Sequence, residues 1–132
     1  MSTATKSRMS AIVTADTEAE SFSVDHPDGS YVVLDQAVIG LKGLQTYQVR
    51  GRALVINGKA LVHLIGVSGA VPVSACSSAY TAWVKLNRKG QTNHWVQGWW
   101  INEQFMMADI QRQIDRDPRI ESYEVRNTKP EV

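Results

Sequence analysis

Basic and tryptophan side chains are concentrated in the middle of this 132-residue chain, and both types are suited to binding nucleic acid. The stretch from Gln36 to Asn102 holds seven of the fourteen lysines and arginines and all four tryptophans. Arginine and lysine neutralise phosphate groups, and an indole ring offers a flat surface on which an unpaired base can stack. The combination predicts a surface that binds nucleic acid, with single-stranded DNA or RNA favoured.

The same stretch contains no acidic residue. Six of the thirteen aspartates and glutamates precede residue 36, and the other seven follow residue 102. The net charge of +1 therefore hides seven positive charges in the middle and an excess of six negative charges at the two ends. A surface of one sign attracts polyanions. Strands are also poor in Asp and Glu for reasons of their own, so an ordinary acid-poor central sheet stays open as the alternative.

Eight residues of this stretch are predicted to form the nucleic-acid surface. Six cations would contact phosphate, and two indoles would stack on bases. The residues are Arg50, Arg52, Lys59, Lys85, Arg88 and Lys89 for phosphate, and Trp83 and Trp100 for stacking.

Other kinds of chemistry find little support in the sequence. The three histidines, His26, His63 and His94, lack the spacing of metal ligands. Cys76 lies among serines and alanines, and a nucleophilic cysteine needs a neighbouring base that spacing alone does not reveal. We therefore expect no cofactor, no metal, no catalytic residue and a non-enzymatic protein. A small-ligand pocket or an enzyme that uses His63 or His94 is kept as an alternative.

Two hairpins are predicted to position the candidate residues. Asn57-Gly58 favours a two-residue type I′ turn, which pairs Val55 with Ala60 and, if the pairing continues unbroken, Arg52 with His63. A second turn is predicted at Lys89-Gly90. It would pair Lys85 with His94 and Trp83 with Val96, and it would place four side chains on one face: Trp83, Lys85, His94 and Trp100.

A helix is predicted after these hairpins. Asn102 is a good N-cap, and an apolar stripe follows it at Phe105, Met106, Ile110 and Ile114. Asp117-Pro118 should end the helix, and a last strand is predicted over residues 120–125. We expect the stripe to cover a sheet face that carries Val49, Ala53, Val62 and Val84.

The predicted fold class is α+β, with an antiparallel sheet of about five strands built from hairpins and one C-terminal α-helix packed on a face. Residues 1–20, rich in Ser, Thr, Ala and Glu, are interpreted as a flexible tail. A single domain is predicted over residues 21–127, beginning with a short strand at Phe22 to Val24, and a C-terminal tail over residues 128–132.

The single cysteine and the lack of an apolar run of membrane-spanning or signal-peptide length predict a cytoplasmic protein with no membrane partner. At the level of fold alone, the strand order over residues 30 to 102 resembles an OB-type barrel that binds single strands. The basic sheet and terminal helix are also similar to small viral coat or phage accessory proteins. A structural protein of a virion, phage or secretion system that forms a homo-oligomer is therefore the other alternative.

Overall fold

The computed structural model describes residues 15–131, which divide into two compact units between Ser78 and Ala79. The fold is α+β, which confirms the predicted class. It contains one antiparallel sheet of five strands and another of three. Most of the predicted N-terminal tail lies outside the described residues. The prediction of a single domain over residues 21–127 stays a prediction.

The first unit contains one described helix and the five-stranded sheet. Helix α1 covers residues 15–25. The strands of the sheet are β1 (Tyr31–Asp35), β2 (Leu44–Ile56), β3 (Lys59–Leu64), β4 (Ala70–Pro72) and β5 (Cys76–Ser78). Short 3-10 turns occupy Gln36–Ile39 and Val73–Ala75. The strand order is β4-β3-β2-β1-β5, so four consecutive antiparallel neighbours are followed by a last strand that returns to the free edge of β1.

Helix α1 lies where the sequence predicted two other things, the end of a flexible tail at residues 15–20 and a strand at Phe22 to Val24. The structure instead buries Ala15, Ala19 and Phe22, which recur at the spacing of one helix face. Ala19 and Phe22 pack in the same apolar cluster as Val32 and Val49 of the sheet. Two small alanines made this apolar stripe hard to see in the sequence, because they bury little area on their own.

The β2–β3 hairpin confirms the predicted turn and departs from the predicted pairing beyond it. Asn57 and Gly58 both have positive φ angles, 52° and 74°, as a type I′ turn requires. The pairing Val55 with Ala60 is as predicted, but a bulge between Arg50 and Leu54 shifts the rest by two residues. His63 therefore lies opposite Arg50, and the prediction that it pairs with Arg52 is wrong.

Side chains from outside the ladder hold the bulge. The backbone N–H of Gly51 donates to Asp28 Oδ1 at 2.7 Å, and that of Ala53 donates to Ser23 Oγ at 2.8 Å. Gly51 has a φ angle of 76°, which a glycine adopts without steric cost. The extra residues are thus bonded to the α1 end and the following turn instead of to β3.

The second unit contains the three-stranded sheet and the C-terminal helix. Its elements are β6 (Tyr80–Arg88), β7 (Val96–Trp100), α2 (Glu103–Arg116) and β8 (Ile120–Arg126), and the strand order is β7-β6-β8. Asn102 caps α2 as predicted, since its side chain accepts from the N–H of Phe105 at 3.0 Å. The helix ends before Asp117-Pro118, and the predicted last strand is present as β8.

Helix α2 packs on the three-stranded sheet. Met106 and Ile110 are buried with Ala82 and Val84, and Ile114 joins them at the edge of the cluster. The expectation that the same stripe also covers Val49 and Val62 is wrong, because those two residues belong to the core of the first unit. Phe105 departs from the stripe as well, since 51% of its surface is exposed. No helix within residues 15–131 combines the length and apolar character that a membrane crossing needs.

The β6–β7 pairing differs from the prediction by one residue. Trp83 lies opposite Gln97, and Val84 lies opposite Val96, whereas a tight turn at Lys89-Gly90 would have paired Trp83 with Val96. Residues 89–95 form a longer connection instead. Asn93 organises it, because its Oδ1 accepts from the N–H of Arg88 at 3.0 Å and its Nδ2 donates to the carbonyl of Gln91 at 3.1 Å. A shift of one residue turns every side chain of β7 to the other face.

Candidate functional site

The structure divides the eight predicted site residues between the two units. Arg50, Arg52 and Lys59 belong to the β2–β3 hairpin, where all three are exposed. The other five belong to the second unit, on β6, on β7 or in the connection between them: Lys85, Arg88, Lys89, Trp83 and Trp100. The two hairpins belong to different sheets, so the eight residues do not share one sheet face.

Three indoles in the second unit are associated with the sheet face that points away from α2. Ala82 and Val84 point towards α2, so the alternate residue Trp83 points to the opposite face. Residues paired across strands share a face, and Thr81 pairs with Trp99 while Lys85 pairs with Glu124. We call this surface the tryptophan face and define it by Trp83, Trp95, Trp99, Lys85, Glu124 and Arg126.

Two cations flank the ring of Trp95 on this surface. Lys85 Nζ lies 5.2 Å from the ring centroid, and the guanidinium carbon of Arg126 lies 5.1 Å from it. Both distances are within the range of a cation–π attraction. Arg126 reaches this position because it is paired with Trp83 across β6 and β8. The arrangement places aromatic surface and positive charge side by side, as the binding of single strands requires.

Glu124 partly neutralises this positive charge. Its Oε2 lies 2.9 Å from Lys85 Nζ and accepts a hydrogen bond from Asn87 Nδ2 at 3.2 Å. The hydrogen bond from Lys85, followed by that from Asn87, lowers the pKa of the Glu124 carboxyl below its usual value. Glu124 is therefore ionised at neutral pH, and a phosphate that approaches Lys85 has to compete with it.

Trp100 does not lie on the tryptophan face, contrary to the prediction that it shares a face with Trp83. It pairs with Tyr80, and its ring packs beside the apolar cluster under α2. Its Nε1–H donates to Asp109 Oδ2 on that helix at 3.2 Å. Trp100 therefore makes a structural contact within the unit, and base stacking on it stays a prediction.

Sequence reasoning left out Trp95, Trp99 and Arg126 as site residues. The strand register decides whether Trp99 or Trp100 points away from α2. With the correct β6–β7 register, Trp99 would have been predicted as the site residue. Arg126 lies outside the acid-free stretch and comes to the surface through the pairing of β8 with β6. Local sequence carries no signal for that pairing.

Arg88 is held by a carboxylate at the end of α2. Its Nε lies 2.9 Å from Asp117 Oδ2, and Asp117 also accepts from Arg119 Nε at 2.9 Å and Arg119 Nη2 at 3.0 Å. The hydrogen bonds from Arg119 and then from Arg88 hold the pKa of the Asp117 carboxyl well below its usual range. Lys89 is exposed. Phosphate binding by Arg88 stays a prediction, and it would have to displace Asp117.

A cavity of about 500 Å³ opens on the helix side of the second unit. Its apolar lining residues include Val84, Leu86, Val96, Ile110 and Trp100. Polar residues from four elements also line it, and we call them its polar rim: Arg88 of β6, Gln91, Thr92, Asn93 and His94 of the 89–95 connection, Gln97 of β7, and Asp109 and Gln113 of α2. The side chain of Gln97 itself donates to Thr81 Oγ1 on the other face of the sheet. His94 is thus on a concave surface, whereas His63 lies on β3 of the first unit, opposite Arg50 and Ala70.

The chemistry of Cys76 is that of a packed thiol. Its Sγ lies 3.8 Å from the carbonyl oxygen of Pro72, and burial raises the pKa of the thiol to about 11. The thiol is therefore protonated at neutral pH and is a poor nucleophile. Among residues 15–131, no three His, Cys, Asp or Glu side chains form a group that could hold a metal ion.

Compared with protein-family models, with the curated proteins and with the solved structures, the chain matches none of them.

Proposed function

We propose that this protein binds single-stranded nucleic acid through the tryptophan face of its second unit. One observation carries the proposal: the rings of Trp83, Trp95 and Trp99 are gathered with Lys85 and Arg126 on one side of one small sheet. An indole stacks on any base, so such a surface favours unpaired strands over a duplex, whose bases are already stacked.

Arg126 is the cation best placed to contact phosphate. Its guanidinium is planar and always charged, and it presents a fork of donors that matches phosphate oxygens. Lys85 would contribute a second contact after exchanging Glu124 for a phosphate. With one acid and two bases, the face itself carries a net charge of only +1. We therefore expect stacking to supply a large share of the affinity.

The first unit would add further phosphate contacts. Arg50, Arg52 and Lys59 are exposed on the β2–β3 hairpin. Removing one cation that contacts phosphate should reduce the slope of log affinity against log salt concentration by roughly 0.7 for a single strand. A double variant, Arg50→Ala with Arg52→Ala, measures whether the hairpin takes part.

The test is a titration of intrinsic tryptophan fluorescence with single-stranded DNA, RNA and duplex DNA at several salt concentrations. We expect saturable quenching by the single strands that weakens with salt, and weaker binding of the duplex. Arg126→Ala should weaken binding and reduce the salt slope. Arg116→Ala, which removes the same group from the last turn of α2, is the matched control and should change little. A flat titration at low salt would overturn the proposal.

A second candidate function is self-assembly, which one feature of the first unit favours. Three consecutive apolar residues near the end of the β2–β3 hairpin are exposed: Leu54 by 49%, Val55 by 39% and Ile56 by 44%. Leu54 and Ile56 point to one face of β2 and Val55 to the other, and exposed apolar side chains of this kind often mark a protein interface. Light scattering coupled to size exclusion tests it, because Leu54→Lys should dissociate an oligomer built on this surface. A monomeric wild-type protein at high concentration would exclude this function.

A further inference from the structure

The cavity of the second unit has the construction of a small-ligand site. Its volume of about 500 Å³ lies within the range of roughly 300–1,000 Å³ that is usual for such sites. Apolar side chains from β6 and α2, Val84 and Ile110 among them, form one part of its lining. Polar residues line the remainder of the cavity, and they can orient a ligand.

The charged groups of the rim are already paired within the protein. Asp109 accepts from Trp100 Nε1 at 3.2 Å and from Arg112 Nη2 at 3.0 Å. Arg88 is paired with Asp117 at 2.9 Å. A ligand that enters the cavity therefore meets balanced charge, and the site favours a neutral molecule over a phosphate or an ammonium group.

The remaining polar rim includes two glutamines, of which Gln113 also donates to Asp109 Oδ2 at 3.5 Å. Gln91 and Gln113 approach the cavity from its two sides, one on the 89–95 connection and the other on α2. An amide presents a donor and an acceptor next to each other, which matches the donor–acceptor edge of a nucleobase. A flat heteroaromatic ring would at the same time cover the apolar lining beside the Trp100 indole.

We propose that this cavity binds a single nucleobase, held by its edge at the glutamine rim and by its ring against Trp100 and Ile110. This proposal rests on the proposed function, because a base site has a role only if the protein binds nucleic acid. His94 lines the cavity, and its neighbour Trp95 belongs to the tryptophan face. A strand stacked on the tryptophan face can therefore turn past these two residues and place one base in the cavity.

The test uses free nucleosides, which carry a base but no phosphate and so separate the cavity from the strand-binding surface. Adenosine, cytidine, guanosine and uridine are titrated into ¹⁵N-labelled full-length protein, and the four indole N–H resonances are followed by NMR. At least one nucleoside should move the Trp100 resonance in a saturable manner. A short single-stranded oligonucleotide is titrated separately, and it should also move the resonances of Trp83, Trp95 and Trp99.

Gln113→Phe fills the rim and should weaken nucleoside binding at least tenfold. Gln111→Phe is the matched control, because it makes the same change on the exposed surface of α2 outside the cavity lining; it should bind like the wild type. Thr92→Tyr blocks the cavity from the 89–95 connection. It serves as the second blocking variant if Gln113→Phe disturbs the fold.

The outcomes separate the two proposals. If no nucleoside moves the Trp100 resonance, or if both blocking variants bind as well as the wild type, the cavity proposal is overturned. Movement of the Trp83, Trp95 and Trp99 resonances by the oligonucleotide would then leave strand binding intact. Nucleoside binding that the blocking variants abolish supports the cavity as a base site, whatever the oligonucleotide does.

Discussion

The indole ring of Trp100 lies over Gly98, its neighbour two residues earlier on the same face of β7. A Cβ atom at position 98 would lie 2.6 Å from Cζ2 of that ring. This is closer than two non-bonded carbon atoms can approach. The ring is fixed in this place from its other side by the hydrogen bond to Asp109. Gly98 thus allows Trp100 to lie against the sheet and to form one wall of the cavity.

Gly98→Ala should destabilise the second unit because the added methyl group displaces the Trp100 ring. The poorer packing should cost about 1–3 kcal/mol of unfolding free energy, and urea denaturation measures it. Gln97→Ala, at the adjacent position whose side chain points to the other face, should cost less than about 1 kcal/mol. Equal stabilities for Gly98→Ala and the wild type would show that the ring moves aside freely.

Glu124→Gln should strengthen the binding of single strands, since it frees Lys85 for phosphate without removing bulk. We expect an increase of a few-fold at low salt, which becomes smaller as salt screens the charges. Glu121→Gln is the matched control. It makes the same change of charge on β8, at the register shift of the β6–β8 ladder and not opposite Lys85. An equal gain from both variants would mean that only net charge matters, and unchanged affinity would exclude Lys85 from the phosphate contacts.

Asp117 should make the stability of the protein depend on pH in the acid range. Its carboxyl has a lowered pKa in the folded state because of the hydrogen bonds from Arg119 and Arg88. The unfolded chain therefore takes up a proton first as pH falls below the ordinary value of 3.8. The stabilisation is fully present above that pH and is lost as pH falls further, towards the pKa of the folded state.

Asp117→Asn removes this dependence together with two ion pairs. The variant should be less stable than the wild type at neutral pH, and the difference should shrink below a pH of about 4. Urea unfolding at a series of pH values gives the difference directly. Asp115→Asn, two residues earlier on α2, is the control. A difference in unfolding free energy between Asp117→Asn and the wild type that stays constant down to a pH of about 2 would contradict the assigned role of the two arginines.

Cys76 should react slowly with thiol reagents while the protein is folded. The shift of its pKa from 9.0 to about 11 reduces the thiolate fraction at neutral pH by about 100-fold. Absorbance after addition of a disulfide reagent, with and without urea, compares the folded and unfolded rates. Fast labelling of the folded protein would show an activated thiol and would return a catalytic cysteine to consideration.

Features that depend on a few neighbouring residues could be predicted from the sequence. Asn57-Gly58 makes its turn because both residues tolerate positive φ, and Asn102 caps α2 because its side chain reaches the Phe105 N–H three residues later. Asp117-Pro118 ends the helix through a steric clash between adjacent residues. Each of these causes lies within a few residues of the chain, so the sequence by itself determined the turn, the cap, the helix and its apolar stripe.

Tertiary structure alone decided which side chains share a surface. The bulge at Gly51 depends on Asp28 and Ser23, which lie more than twenty residues earlier. The register of β7 depends on how Asn93 folds the connection, and one residue of slip exchanges Trp100 for Trp99 on the tryptophan face. Strand faces alternate at every residue, so the composition of a sheet surface depends on long-range pairing that local sequence does not specify.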